Sequence, residues 1–181
     1  MNTRPIVVGT LVRFAREGVT SASPAGAVAD TLKPIVSDAA WISLGTVESG
    51  ETQYDEQVRE IRSPINGARH LTDALIYGRD LKLNFTLEDY SDVISALRFG
   101  HLPLVGGAGG QFNPLERVKV LKGWLKLQET DAATGDNVTV LDAWVFLQLQ
   151  GALQMGEQGP KPQIMARVLY SALNTGTLLV A

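Results

Sequence analysis

A chain of 181 residues that is 45% hydrophobic and 19% charged has enough apolar material for one domain with a buried core, and too much for a disordered segment. Its 16 Lys and Arg against 19 Asp and Glu leave a formal charge of -3, which argues against a protein whose task is to grip nucleic acid through its phosphates. The absence of cysteine excludes disulfides and thiol chemistry, and it leaves any zinc site to His and carboxylates alone.

The apolar run Ile6 to Val12 is flanked by Arg4 and Arg13, and no small-residue cleavage site follows closely, so Ile6 to Phe14 reads as a strand and not as a signal peptide. No run approaches the roughly 18 apolar residues of a membrane span, and synthesis in a cytoplasm is expected. Gly18 to Pro34 is dominated by Ala, Ser, Gly, Thr and Pro, which predicts a flexible arm over about 15–40. Residues 40 to 47, with Trp41, Ser43 and Gly45 alternating with Ile42, Leu44 and Thr46, read as a second strand.

Glu48 to His70 is polar and segregated in charge, with Glu48, Glu51, Asp55, Glu56 and Glu60 preceding Arg62, Arg69 and His70. It predicts a long projecting loop over about 48–70, within which Gln57 to Ile61 can form a strand limited by the turn signals Ser63-Pro64 and Asn66-Gly67. Ala74 to Tyr77 then runs into Gly78-Arg79-Asp80, which reads as a tight hairpin connection into the next strand.

That next stretch is the best specified of the chain. Leu81, Leu83, Phe85 and Leu87 alternate with Lys82, Asn84 and Thr86, the period of a strand with one buried face. From Tyr90 the apolar residues recur as Val93, Ile94 and Leu97, one stripe of a helix over about 88–99. Thr86 and Asp89 suit a variant capping box at its start, with Ser91 too late to compete, and Arg98 and Gly100 suit its end. Burying such a stripe is worth about 1.5 to 3 kcal/mol per large side chain, so the helix must pack on a sheet.

His101 to Pro114, with Gly106-Gly107-Ala108-Gly109-Gly110, is a loop. Residues 117 to 128 and 138 to 150 predict a long antiparallel hairpin, with a change of parity around Lys122-Gly123 that suggests a β-bulge. Lys122, Lys126 and Gln128 share one face of the first strand, and Asp142, Gln148 and Gln150 one face of the second. Pro160 and Pro162 precede a strand from Ile164 to Leu173, and Thr177 to Val180 can add a short one. The sum is a mainly β (α+β) domain over 1–181, an antiparallel β-sandwich or partly closed barrel of about seven strands flanked by one α-helix.

No catalytic signature is present: the sequence contains neither G-x-S-x-G nor H-E-x-x-H, and its Gly-rich loop lacks the G-K-[ST] of a phosphate cradle. His70 and His101 read as surface histidines, and the irregular acids of 48–60 lack the ligand spacing of a calcium loop. Trp124, Trp144 and Tyr170 can stack a sugar or a base, though core or subunit packing is the commoner use of such residues. No catalytic, cofactor or metal residue is expected.

A strand LKLNFTLEDYS running into a helix that ends in ALRFG, preceded by WISLGTVESGETQYDEQVREIRSP and framed by long hairpin strands, resembles the major tail tube protein of tailed bacteriophages. The resemblance spans most of residues 5 to 173 as an order of elements. It implies a structural virion protein that assembles into hexameric rings stacked as a tube, shared in architecture with the inner tubes of contractile injection systems. It also implies that double-stranded DNA passes through the lumen during ejection as weakly bound cargo, and that other tail proteins meet the tube ends. On this resemblance the 48–70 segment reaches neighbouring subunits, and Glu51, Tyr54, Glu56, Glu60, Arg62 and Arg69 are interface residues. The alternative is a β-sandwich binding module, such as a virion decoration or carbohydrate-binding domain, with exposed aromatic side chains as its platform.

Overall fold

The computed structural model describes residues 7–65, 68–88, 91–99, 121–131, 135–151 and 161–176. Its strands are β1 (Val7–Arg16), β2 (Thr20–Ala22), β3 (Ala25–Ala27), β4 (Ile42–Ile65), β5 (Ala68–Leu87), β6 (Leu121–Asp131), β7 (Asn137–Leu149), β8 (Gln163–Val168) and β9 (Thr175–Gly176), with one helix, α1 (Asp92–Phe99). Six of the strands are hydrogen-bonded in the order β6-β1-β4-β5-β8-β7, and β7 pairs back onto β6, so the sheet closes on itself as an antiparallel barrel. Closure leaves no free edge around the body of the barrel. The short β9 adds to β7 at Leu141 and Asp142, and β2 and β3 form a small separate hairpin.

Alternation within the barrel strands sends Val12, Phe14, Leu44, Leu83, Phe85, Leu125, Ala143, Val145, Leu147, Ile164 and Ala166 into one core, where each is nearly or fully buried. The expected amphipathic stripe of α1 joins them: Val93 and Ile94 are fully buried and Leu97 packs against the same cluster. The helix begins later than the expected residue 88. Thr86 stays in β5, paired with Gln163, and the Ser91 carbonyl accepts the first helical bond from the Ser95 N–H at 3.0 Å. Ser91 therefore holds the position that flanks the first turn, while Asp89 and Tyr90 lie outside the described residues.

One glycine is dictated by contact. A Cβ on Gly123 would stand 2.2 Å from the Ala15 carbonyl oxygen and 2.7 Å from the Phe14 ring, so only Gly lets β1 and β6 approach there. The expected bulge around Lys122-Gly123 is absent from the described pairs, which run in regular register from Leu121 to Leu127; the irregularity falls between Leu127 and Gln128.

The segment expected as a flexible arm over 15–40 is packed as a strap across the outer face of β1, β6 and β7. Val28, Ala40 and Trp41 close over Ala15, Trp124 and Trp144 in a second buried cluster, with the two Trp rings of the barrel edge to face at 5.6 Å. The Trp124 Nε1–H donates to the Ala29 carbonyl at 2.7 Å, and Trp41 Nε1–H to the Ile35 carbonyl at 2.8 Å. Asp38 organises the strap. Its Oδ2 accepts from Ser21 Oγ–H, Ala22 N–H and Ser23 N–H and its Oδ1 from Ala40 N–H, and the Ala40 and Ser23 bonds in particular hold its carboxyl below the ordinary 3.8. Small residues sufficed because the cover is thin and its order comes from these polar ties.

The polar residues that share one face of β6 and β7 differ in their surroundings. Lys126, Gln128 and Asp142 are buried, with Lys126 and Asp142 directly paired across the two strands, whereas Gln148 and Gln150 are exposed. Lys33 of the strap reaches Asp142 Oδ2 and Thr175 Oγ1, both at 3.3 Å. Lys126 and Asp142 have the expected parity but lie under a cover that parity does not reveal.

Candidate assembly arm

The segment read as a projecting loop is instead a β-ribbon. β4 continues past its last barrel pair, Thr46 with Leu11, and β5 has no barrel neighbour before Lys82, which pairs with Arg167 of β8. Between those limits, among the described residues, β4 and β5 pair only with each other, from Tyr54–Leu81 out to Ile65–Ala68, a reach of about 40 Å at roughly 3.3 Å per residue. The last pair leaves just Asn66 and Gly67 to connect the strands, the dipeptide most suited to a two-residue hairpin; both lie outside the described residues.

Gly78-Arg79-Asp80, expected as a tight connection, lies within the ladder. Gly78 pairs with Gln57 and Ile76 with Val58, so Tyr77 is an extra residue on β5, a bulge; a second shift falls between Ile61 and Arg62. A glycine inside a strand marks such an irregularity as readily as it marks a turn.

Period two and the register assign the two faces. Tyr54, Glu56, Val58, Glu60 and Arg62 share one face with Leu81, Arg79, Ile76 and Ala74 opposite. Asp55, Gln57, Arg59 and Ile61 share the other, with Asp80, Gly78, Leu75 and Asp73 opposite. On both faces the side chains described from Tyr54 to Arg62 and from Asp73 to Ile76 are exposed. Tyr54 is 62% exposed, Leu75 52% and Ile76 53%, and Val58 and Ile61 are also exposed.

Of the residues expected at an interface, Tyr54, Glu56, Glu60 and Arg62 are brought onto the first face. Glu56 pairs with Arg79 at 2.9 Å and Glu60 with Arg62 at 2.7 Å, so their charges are already matched within the ribbon. Glu51 is set apart from them. It stands opposite Asn84 at the base of the ribbon, in an open polar cleft of about 400 Å³ lined also by Ser49, Thr86, Gln150 and Gln163. Arg69 pairs with Pro64 near the tip, and its side chain lies outside the described residues, as do the side chain of His70 and the whole of His101. Leu75 and Ile76 escaped sequence reasoning, because the expected turn at 78–80 made them part of a separate strand ahead of Leu81; a count of apolar residues beyond position 70 with no polar alternation was the available signal.

Elsewhere the surface offers less. Trp124 and Trp144 are buried, while Tyr170 is 90% exposed. Among the described residues, no cluster of His, Asp or Glu is placed to hold a metal ion, and no helix is long and apolar enough to cross a membrane. The chain matches no protein-family model and no curated protein.

Proposed function

We propose that the chain is a structural subunit that assembles with copies of itself into rings stacked as a tube, like the tail tube of tailed bacteriophages, and that its place is the virion tail. Hexameric rings, a lumen that passes double-stranded DNA during ejection, and contacts with other tail proteins at the tube ends are parts of this reading. The observation that carries it is the ribbon. An isolated two-stranded hairpin is marginal in water, yet this one extends about 40 Å with Tyr54, Val58, Leu75 and Ile76 uncovered on it. A neighbour supplies the missing cover. Its two long edges, unpaired among the described residues, are also what a single soluble body avoids and a polymer uses.

Heterologous contacts of this kind, arm to body, close into rings when the rotation between copies divides a full turn. The role is architectural and no catalysis is assigned to it. DNA is cargo in this reading, and a formal charge of -3 gives little counterion release to hold it.

The test is a ribbon-shortened variant in which Tyr54 is joined directly to Leu81 through Asn-Gly. Those two residues are a cross-strand pair, so the barrel register is kept. The expected result is a folded monomer with wild-type melting that forms no rings or tubes by electron microscopy, under conditions in which the full chain does. Tubes of normal length from the shortened chain, or a full chain that stays monomeric at high concentration even with tail-tip initiator proteins, would overturn it.

A further inference from the structure

Where the ribbon leaves the barrel, four charges on one face stand in an unusual order. Asp55 of β4 lies directly opposite Asp80 of β5, and Lys82 of β5 lies directly opposite Arg167 of β8. Like charges in directly opposed positions repel, with Cβ atoms about 5 Å apart. Among the described residues both pairs are relieved along the diagonals: Lys82 Nζ donates to Asp55 Oδ2 at 2.9 Å, and Arg167 guanidinium to Asp80 Oδ2 at 2.6 Å. Lys82–Arg167 is the outermost pair that β5 makes with β8, and Asp55 and Asp80 belong to the ribbon beyond it. Each diagonal therefore ties the first free turn of the ribbon to the barrel rim.

We propose that these four residues form a clasp that fixes the direction in which the ribbon leaves the barrel, and that ionic strength or a charged neighbour releases it. The clasp works only as a whole. Remove one cation and an acidic pair is left repelling at the ribbon's root; remove one acid and two cations are left repelling across the β5–β8 pairing. The Asp55 carboxyl is held below its usual range first by the Lys82 hydrogen bond and then by the charge of Lys82, with a smaller push from Arg167. All four groups are partly exposed, the condition under which salt screens an ion pair most effectively. The inference needs the ribbon's geometry and not the tube, so it stands or falls apart from the assembly reading.

The natural order is not the tightest one available. Exchanging Asp80 and Arg167 in the double variant D80R/R167D turns both opposed pairs into attractive ones and keeps both diagonals attractive. The absence of cysteine allows clean spin labelling through Arg59→Cys on the ribbon and Ser37→Cys on the strap, with labelled chains diluted into unlabelled protein. A single narrow distance distribution is expected at low salt, broadening at 1 M sodium chloride, where the Debye length is about 3 Å. Arg167→Gln should broaden it already at low salt, and D80R/R167D should stay narrow at 1 M. A distribution unchanged by salt and by Arg167→Gln would overturn the clasp. So would broadening in D80R/R167D equal to that of Arg167→Gln, since side-chain packing and not charge would then set the ribbon's direction.

Discussion

The ammonium of Lys126 sits 4.3 Å from the centre of the Trp41 ring, on a side chain that is 1% exposed. One residue belongs to the barrel wall and the other to the strap, so a desolvated cation–π contact joins the two layers. The positive charge is answered by Asp142, whose Oδ1 is 3.8 Å from Lys126 Nζ and whose Oδ2 binds Lys33 of the strap.

Asp142→Asn is expected to destabilise the fold by about 3 kcal/mol, because it leaves a buried ammonium without its counter-ion. The measurement is the midpoint of denaturant unfolding. Burial pushes Lys126 below its ordinary 10.5, with Asp142 opposing the shift. A cation that the fold disfavours weakens the native state fully below its folded pKa, and the penalty fades as pH rises from there to 10.5. The deficit of the variant should therefore be largest near neutrality and narrow in alkaline solution.

Asp38 gives the opposite dependence. Its folded pKa is depressed, so the stability it contributes is complete above about 3.8 and is lost as pH falls through the folded value. Asp38→Ala should melt well below wild type at pH 7, and the gap should close in strong acid. A gap that stays constant down to pH 2 would mean that the strap does not depend on the ionised carboxylate.

Gly123→Ala should cost about 1 to 3 kcal/mol, the usual range for overpacking, since the new methyl meets a backbone oxygen that cannot move aside. Gly135→Ala meets no atom within 4 Å and is strained only by its φ of +73°, so it separates a backbone effect from a clash. Thermal unfolding of the pair makes the comparison.

Replacing Val58 and Ile76 together by Thr removes an apolar pair from one face of the ribbon. Each is exposed in the single chain, so the monomer should change by about 0.5 kcal/mol or less. On the proposed assembly reading, burial against a neighbour is worth roughly 1.5 to 3 kcal/mol per side chain, so the critical concentration for tube assembly should rise more than tenfold. Light scattering against concentration reads both ends of this prediction.

The parts of the fold visible in the sequence are those whose order is local or one-sided. Leu81 to Leu87 alternates because one face is buried, and the Val93, Ile94 and Leu97 stripe repeats because one side of α1 meets the core. The ribbon was unreadable for the same reason turned round: with its described side chains exposed on both faces nothing forces alternation, so the 48–70 segment reads as a loop with at most a short strand at Gln57 to Ile61. The strap was unreadable because its order comes from Asp38 reaching back to Ser21 and from Trp124 reaching the Ala29 carbonyl, contacts between residues far apart in sequence. Tyr54, Glu56, Glu60 and Arg62 were placed on the projecting segment from the sequence, while Leu75 and Ile76 on its return strand required the register.

The barrel's seam sets an order of events for the newborn chain. Val12 pairs with Leu127, more than a hundred residues later, whereas Ile65 pairs with Ala68 across two residues. Hairpins form in about 1 to 10 μs, while pairings so distant in sequence wait on a far slower search. The ribbon can thus zip from its tip while β6 is still unmade. A ribbon formed early is still an isolated hairpin, marginal in water until Gln163 to Arg167 arrive to pair with β5 and tie its root into the closing barrel.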